Sequence, residues 1–427
     1  MTSAKPRKTA KTPSENNTSV KYDIIIVGAG PAGLSTAKAV SQLGLKVAII
    51  ERQGVNAILE PKYDGREIAL THRSQHMMSE LDMWDRIAPE EISIIQSAKV
   101  YNAGEEFFMG LSSNDTKQLA YIISNHEIRK SAIDVVKDDA NVKIYDNEGI
   151  EDLKINPKNV VVKLKSGTEL DAKLLIAADS RFSDIRDMVG LPASKYNFEK
   201  TMIVAKMRHE KSHEYIASEN FHIGHTMAIL PLNDNCCSMV VTVKHDEAKR
   251  LMALSDEEYT EWCSENFGHK LGKMELITAR YPYPLVGVYS DKFVSKRFAL
   301  IGDAAVGMHP VTAHGFNFGL TGIEFLRNSL RSALARGQDI GSWAVLKEFE
   351  TNHQRATLPL YLGTAAIVKL YTNDHPVAQV ARKVLIRVAD KMSPIKGMIM
   401  DKLMDDHAGN PMPLPRPLQL LKLLRNA

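Results

Sequence analysis

Apolar residues fall in short, nearly continuous runs along much of this chain. Tyr22–Val27, Leu45–Ile50, Leu174–Ala177 and Phe298–Ile301 are of this kind, the pattern of strands covered on both faces. Between the first two runs, Leu34, Ala37, Val40 and Leu43 recur at helical spacing, so Tyr22–Arg52 reads as strand, turn, helix, strand. Val142–Tyr145, Ile150–Ile155 and Val160–Leu164 read as further strands, with a turn at Ser166-Gly167. Ala98–Gly110 alternates weakly, as a hairpin around Ala103-Gly104 would. Asn125 stands as the N-cap of a helix with Ile128, Ala132, Val135 and Val136 on one face and Arg129 in its first turn.

The texture changes from about Tyr196 to Leu285. Met202–Met207, Ala228–Pro231, Met239–Lys244 and Ile277–Tyr281 look like strands between polar loops, with one helical stretch at Asp256–Phe267. This predicts an antiparallel layer inserted into a nucleotide-binding domain. The expected organisation is a tail over 1–20, the nucleotide domain over 21–195 and 291–350, the inserted sheet over 196–290, and a helical segment over 351–427. That last segment shows amphipathic helices broken at Pro376 and Pro394, with Val368, Leu370 and Tyr371, then Val377 to Val388, and finally Leu418–Leu424 as apolar stretches. Helix packing, a dimer contact and docking on a membrane surface all fit such faces. The fold class is therefore α/β, Rossmann-like with an inserted β-sheet.

The first apolar run leads into Gly28-Ala29-Gly30-Pro31-Ala32-Gly33. A G-x-G-x-x-G between a buried strand and a helix is a dinucleotide phosphate site. Gly28 makes the turn, Gly30 lets backbone approach a pyrophosphate, and Gly33 lets helix and strand pack closely. The helix start offers unpaired N–H groups to the anion. Glu51, at the end of the second strand, can accept both hydrogen bonds of a ribose diol. The pattern alone does not separate FAD from NAD. Two later clusters also sit where α/β folds bind ligands. Asp179-Ser180-Arg181 follows one buried strand. Gly302-Asp303 follows another and leads to Gly315-Phe316-Asn317-Phe318-Gly319 at the start of a long helix from Leu320 towards Arg336. Asp303 can hold a ribityl hydroxyl, and the N–H groups of Gly315 to Asn317 can face flavin carbonyls. Arg66, in Asp64-Gly65-Arg66-Glu67, reads equally as a surface charge or a phosphate or flavin partner.

Composition narrows the choices. A net charge of +3 offers no electrostatic case for nucleic acid. Cys236, Cys237 and Cys263 form no C-x-x-C, so a reducing, cytoplasmic setting without a structural metal is expected. His72 and His76 could share a helix face but lack a third ligand for a metal. No apolar run reaches the roughly 18–20 residues that cross a bilayer. The Lys-, Thr-, Ser- and Asn-rich start reads as a disordered tail before it reads as a transit peptide.

The order of these motifs resembles that of the flavin-dependent aromatic hydroxylases, and from about Tyr22 to Lys402 the chain is similar to their ubiquinone-biosynthesis branch. Within that branch it looks most like the 5-demethoxyubiquinol 5-hydroxylase type, on Asp64–Ser74, Ala178–Ser183 and above all Val306–Asn317. The branch's Gly-Asp-Ala-Ala-His has Val306 in place of histidine here, and its Gly-Gln-Gly has His314 in place of glutamine. The resemblance implies FAD contacts at Gly28, Gly30, Ala32, Gly33, Glu51, Arg52, Arg66, Arg129, Asp179, Gly302, Asp303, Gly315, Phe316 and Asn317. It implies the aromatic hydroxylase fold, NAD(P)H as a transient co-substrate, O2, and a prenylated quinol or phenol substrate. In such enzymes reduced flavin and O2 give a hydroperoxide whose distal oxygen passes to an electron-rich ring. A peripheral seat at the inner face of the membrane, a place in a quinone-biosynthesis complex and a homo-oligomer all stay open.

His309 and His314 are candidates for orienting or deprotonating a phenol, since neutral imidazole acts near pH 7. Structural packing in the same loop explains them equally well. No second G-x-G-x-x-G provides a resident NAD(P)H domain. The W-x-W-x-I-P of flavin halogenases is missing, because Trp84, Trp262 and Trp343 stand alone. Prenyl-chain reduction and a non-catalytic prenyl-binding scaffold are the remaining alternatives. Every version of the flavin reading requires the Gly28 turn and the Asp303 loop to fold together.

Overall fold

The computed structural model describes residues 19–102, 108–112, 118–308 and 315–372. Among the described residues the apolar runs form one six-stranded sheet. Ile24–Val27 lies at its middle, between Leu174–Ala177 and Val47–Ile50, and all three run parallel. Phe298–Leu300 and Val142–Tyr145 extend it in parallel, and Val294–Ser295 closes one edge in the opposite sense. Ile24, Ile25, Ile26, Leu175 and Ile176 are fully buried, which explains the absence of polar alternation. Each such side chain contributes about 1.5–3 kcal/mol on burial. The helices Pro31–Ser41 and Gly315–Ala335 cover the sheet and contact each other.

A second sheet has nine strands among the described residues. Its spine is the long strand Ala193–His209, flanked by Tyr281–Ser290 and Cys236–Lys244. Thr226–Leu232 and Ile216–Phe221 continue it, the last of which had no clear signal in the sequence. The sheet also takes strands from outside 196–290. Ser97–Asn102 pairs in parallel with Ile216–Phe221 and antiparallel with Phe108–Ser112, while Val306–Gly307 joins the opposite edge. The expected hairpin is thus an edge of this sheet, and its turn lies outside the described residues. One sheet face is buried under the helices His245–Ala253 and Asp256–Asn266 by Ile203, Met227, Met239 and Val241. The other face looks towards the nucleotide domain.

Two local expectations change. Ser124, not Asn125, caps the helix Asn125–Asp134: its hydroxyl accepts the Glu127 N–H at 3.2 Å. The Asn125 amide instead donates to Asp64. Arg129 accordingly falls in the second turn. The helix Trp343–Thr372 crosses the expected border at 350 and contains Pro359. The stretches around Pro376, Pro394 and Leu418–Leu424 lie outside the described residues, and the side chains of Val368, Leu370 and Tyr371 do too.

Candidate active site

The site begins where Ile24–Val27 ends. Gly28 has φ +104°, and a Cβ there would stand 2.6 Å from the Ala178 carbonyl oxygen and 3.0 Å from Asp179 Cα. The turn therefore lies against the Asp179 segment. A Cβ on Gly33 would stand 1.9 Å from the Gly28 oxygen, so only glycine permits this strand–helix approach. Gly30 differs, with no atom within 4 Å of its Cβ position. It precedes a helix with no side-chain cap and no acid in the first turn, leaving the first N–H groups to an anion. Glu51 is fixed beside this turn, accepting the Ala29 N–H at 2.6 Å and the Gln53 N–H at 2.9 Å.

The second bend meets the first. Gly302 has φ +60°, and its Cβ position is 2.8 Å from Ala32 Cβ. Gly319, in the helix opened by Gly315, comes within 3.8 Å of Gly302 Cα in the same sense. The two glycine bends, far apart in sequence, thus share one cleft. Asp303 is held there by Arg181, whose Nε and Nη2 both donate to Oδ2, at 3.1 and 2.7 Å. Arg181 Nη1 donates to the Val286 carbonyl on the large sheet, tying the sheet to the bend. Fully buried Arg186 donates to the Arg181 and Ala304 carbonyls and locks both loops. Asp179 Oδ1 is buried without a hydrogen-bond partner, and burial raises its carboxyl above the usual range. Such an acceptor calls for a donor from outside the chain.

The third wall is the Asp64–Thr71 segment. Gly65, at φ +75°, lies flat on Tyr281; a Cβ would be 2.3 Å from the ring. Arg66 donates to Asp64 Oδ2 at 2.6 Å, and its guanidinium stands 5.3 Å from the Tyr283 ring centroid. Burial opposes the charge of Asp64, but Arg66 and Asn125 outweigh it and hold the carboxyl below its usual range. Tyr283 donates to the Asp64 carbonyl at 2.6 Å. Asn317 is buried and spends its amide on this wall, accepting the Thr71 N–H at 3.1 Å and donating to the Ala69 carbonyl at 2.9 Å. Its side chain thus ties the helix start to this wall. Gly315 has open space at its Cβ position, and half-buried Phe316 packs on the core beside it.

Arg52 sits at the rim, exposed, 3.3 Å from Asp184. Arg129 is half-buried, one turn past Asn125. His309 and His314 lie outside the described residues. His72 bonds the Gln118 carbonyl and His76 meets Glu80, so the pair do not converge. Val306 is a strand residue paired with Tyr289. Arg181, Arg186, Tyr283 and Asn125 were not picked out as site residues. The Asp179-Ser180-Arg181 cluster was visible, but its pairing with Asp303, 122 residues away, has no local signature. The phosphate-ready helix start, the room at Gly30 and Gly315 and the unpartnered Asp179 oxygen together fit FAD.

The FAD binding domain family matches residues 21–341. Ubiquinone hydroxylase UbiM of Neisseria meningitidis is 41% identical over 391 residues, spanning 90% of this chain and 85% of the relative. Ubiquinone hydroxylase UbiL of Rhodospirillum rubrum is 30% identical over 379 residues, 88% of each chain. Among solved structures, p-nitrophenol 4-monooxygenase PnpA from Pseudomonas putida shares the fold at a TM-score of 0.72 and 18% identity, over 91% of this chain and 100% of that one.

Proposed function

The chain belongs to the FAD binding domain family, and from that premise we propose that it hydroxylates the aromatic ring of a prenylated quinol on the route to ubiquinone, with 5-demethoxyubiquinol as substrate. The enzyme is an FAD-dependent monooxygenase that uses NAD(P)H and O2. The observation that carries the reading is the contact of Ala32 with Gly302, which unites the two glycine bends in one cleft. The names of the two relatives supply the substrate class.

The first-turn N–H groups of Pro31–Ser41 take the pyrophosphate, with Glu51 at the ribose end. Asp179 and the Arg181-held Asp303 offer oxygens to the hydroxyls between pyrophosphate and ring. Gly315 and the N–H groups of Phe316 and Asn317 lie at the ring end. When bound, the reduced flavin supplies activated O2. The chain must orient the quinol and exclude water. Met202, Val204, Val240 and Leu285 give the facing sheet an apolar cluster for that purpose. His309 and His314 remain candidates for orienting a ring hydroxyl. NAD(P)H visits without a domain of its own. No described helix is long and apolar enough to cross a membrane. The polyprenyl tail of the substrate partitions into bilayers, so we place its delivery at a membrane surface.

The test is purified protein with a one-isoprene demethoxyquinol. Bound yellow flavin and quinol-stimulated NAD(P)H oxidation with matching O2 uptake are expected. Folded protein that takes up no FAD would overturn the reading, and so would NAD(P)H oxidation without O2 uptake, which marks a reductase. A deletion strain should accumulate the demethoxy precursor, detected by quinone extraction.

A further inference from the structure

We propose that Glu219 binds the quinol, donating and accepting hydrogen bonds at a ring oxygen from the face of the large sheet. This deepens the function proposed above and rests on it.

Strand register places Glu219. Tyr281 pairs with Val204, Val204 with Val240, Val240 with Ala228, and Ala228 with Glu219. Residues directly opposite each other share a face, so these five form one row across the sheet. The row lies on the face turned to the nucleotide domain. Tyr283, two residues on from Tyr281, bonds the Asp64 carbonyl, and Lys206, two residues on from Val204, meets Glu67 at 3.3 Å. The opposite face is the one sealed under the two helices. Glu219 is therefore an acid inside an otherwise apolar row, which continues past it to Val100, on the face turned to the cleft.

Protein groups account for it only in part. Among the described residues it makes no ion pair, and the Thr226 hydroxyl is the one group favouring its charged form. Part of its surface is accessible although protein encloses it. Burial pushes its carboxyl up to about 8, so at neutral pH it is a neutral acid with a donor and an acceptor in one group. A prenyl quinol carries hydrogen-bonding atoms only on its ring. A carboxyl set in an apolar row thus has the ring oxygens as its match, and a neutral acid bonds a quinol hydroxyl without burying a charge.

The experiment compares FAD-loaded wild type, Glu219→Gln and Glu219→Leu. A one-isoprene quinol and its dimethyl ether are titrated against the flavin absorbance, with KM, kcat, FAD content and Tm measured alongside. Glu219→Leu is expected to keep its FAD and to weaken quinol binding and raise KM by about tenfold, with kcat less affected. Glu219→Gln, which keeps a donor and an acceptor, should stay within about threefold of wild type. The ether should lose less than the quinol on going to Leu. Equal quinol affinity in wild type and Glu219→Leu overturns the proposal, as does an equal loss for quinol and ether. Failure of the wild type itself to respond to quinol would instead overturn the proposed function.

Discussion

The parallel sheet built around Ile24–Val27 and the large sheet built around Ala193–His209 border the same cleft but constrain it by different means. On the parallel side the constraint is backbone proximity. Gly28, Gly33 and Gly302 sit where a Cβ would strike another chain segment, so residue type is dictated within fractions of an ångström. On the large sheet the constraint is register. Which residue faces the cleft depends on pairings across five strands, and many side chains would satisfy the backbone. The first kind of constraint belongs to binding a cofactor shared by many reactions. The second leaves room to choose a substrate.

The glycines offer the largest effect and the sharpest way to break this comparison. Gly33→Val would put a Cβ 1.9 Å from the Gly28 oxygen, and only separation of helix from strand relieves that. A loss upwards of about 3 kcal/mol is expected, read as a fall in Tm and folded yield. Gly30→Val should behave differently. Gly30 has φ −73° and open space, so the fold should survive with the Tm of FAD-free wild type while FAD content collapses. Equal damage to folding from both would show that Gly30 is a structural residue. Asp303→Ala comes next. It removes the partner of Arg181 and, on the proposed reading, an oxygen offered to the cofactor, and FAD binding should weaken at least tenfold, about 1.4 kcal/mol.

What could be read from the sequence follows the same division. The G-x-G-x-x-G, the acid at Glu51 and the Gly302-Asp303 bend are local patterns, and each lies in the cleft. The strands Val142–Tyr145, Ile150–Ile155 and Val160–Leu164 also have the expected bounds, because short apolar runs bounded by turns leave little choice. Long-range pairing left no such trace. Nothing near Ser97 shows that it lies beside Ile216, and nothing near Asp64 shows that Tyr283 and Asn125 close around it. The N-cap lies one position before the expected Asn125 because Ser124 and Asn125 are both good caps. Tertiary demand decided between them, since Asp64 engages the asparagine. At Asn317 the motif points to the flavin, and the structure adds a second role that the motif does not signal: the amide holds the Thr71 segment.

Asn317→Ala separates those two roles. It leaves the Thr71 N–H and the Ala69 carbonyl without their partner in a buried setting. A destabilisation of about 2 kcal/mol is expected by thermal or urea unfolding. The FAD that remains bound should keep a near-normal dissociation constant if the side chain serves the wall alone. A large loss of FAD affinity with unchanged stability would return Asn317 to direct cofactor contact.

The remaining effect concerns the large sheet and follows from Glu219. Its carboxyl stands at about 8 in the folded chain, whereas an unfolded glutamate titrates near its ordinary value of 4.5. Between those values the unfolded chain has released the proton and the folded chain still holds it. By linkage, stability from this group is complete below about pH 4.5, declines as pH rises, and is lost by about pH 8. Glu219→Gln cannot titrate, so it should remove that slope. The Tm of the Gln variant minus that of wild type should therefore increase by a few degrees between pH 5 and pH 8.5, measured in a constant-ionic-strength buffer. A difference independent of pH would mean that Glu219 is already ionised, with solvent or a cation beside it. The facing sheet would then present a charge to the cleft rather than a neutral acid, and the contrast between a cofactor side set by backbone and a substrate side set by one uncharged polar group would fail at its substrate end.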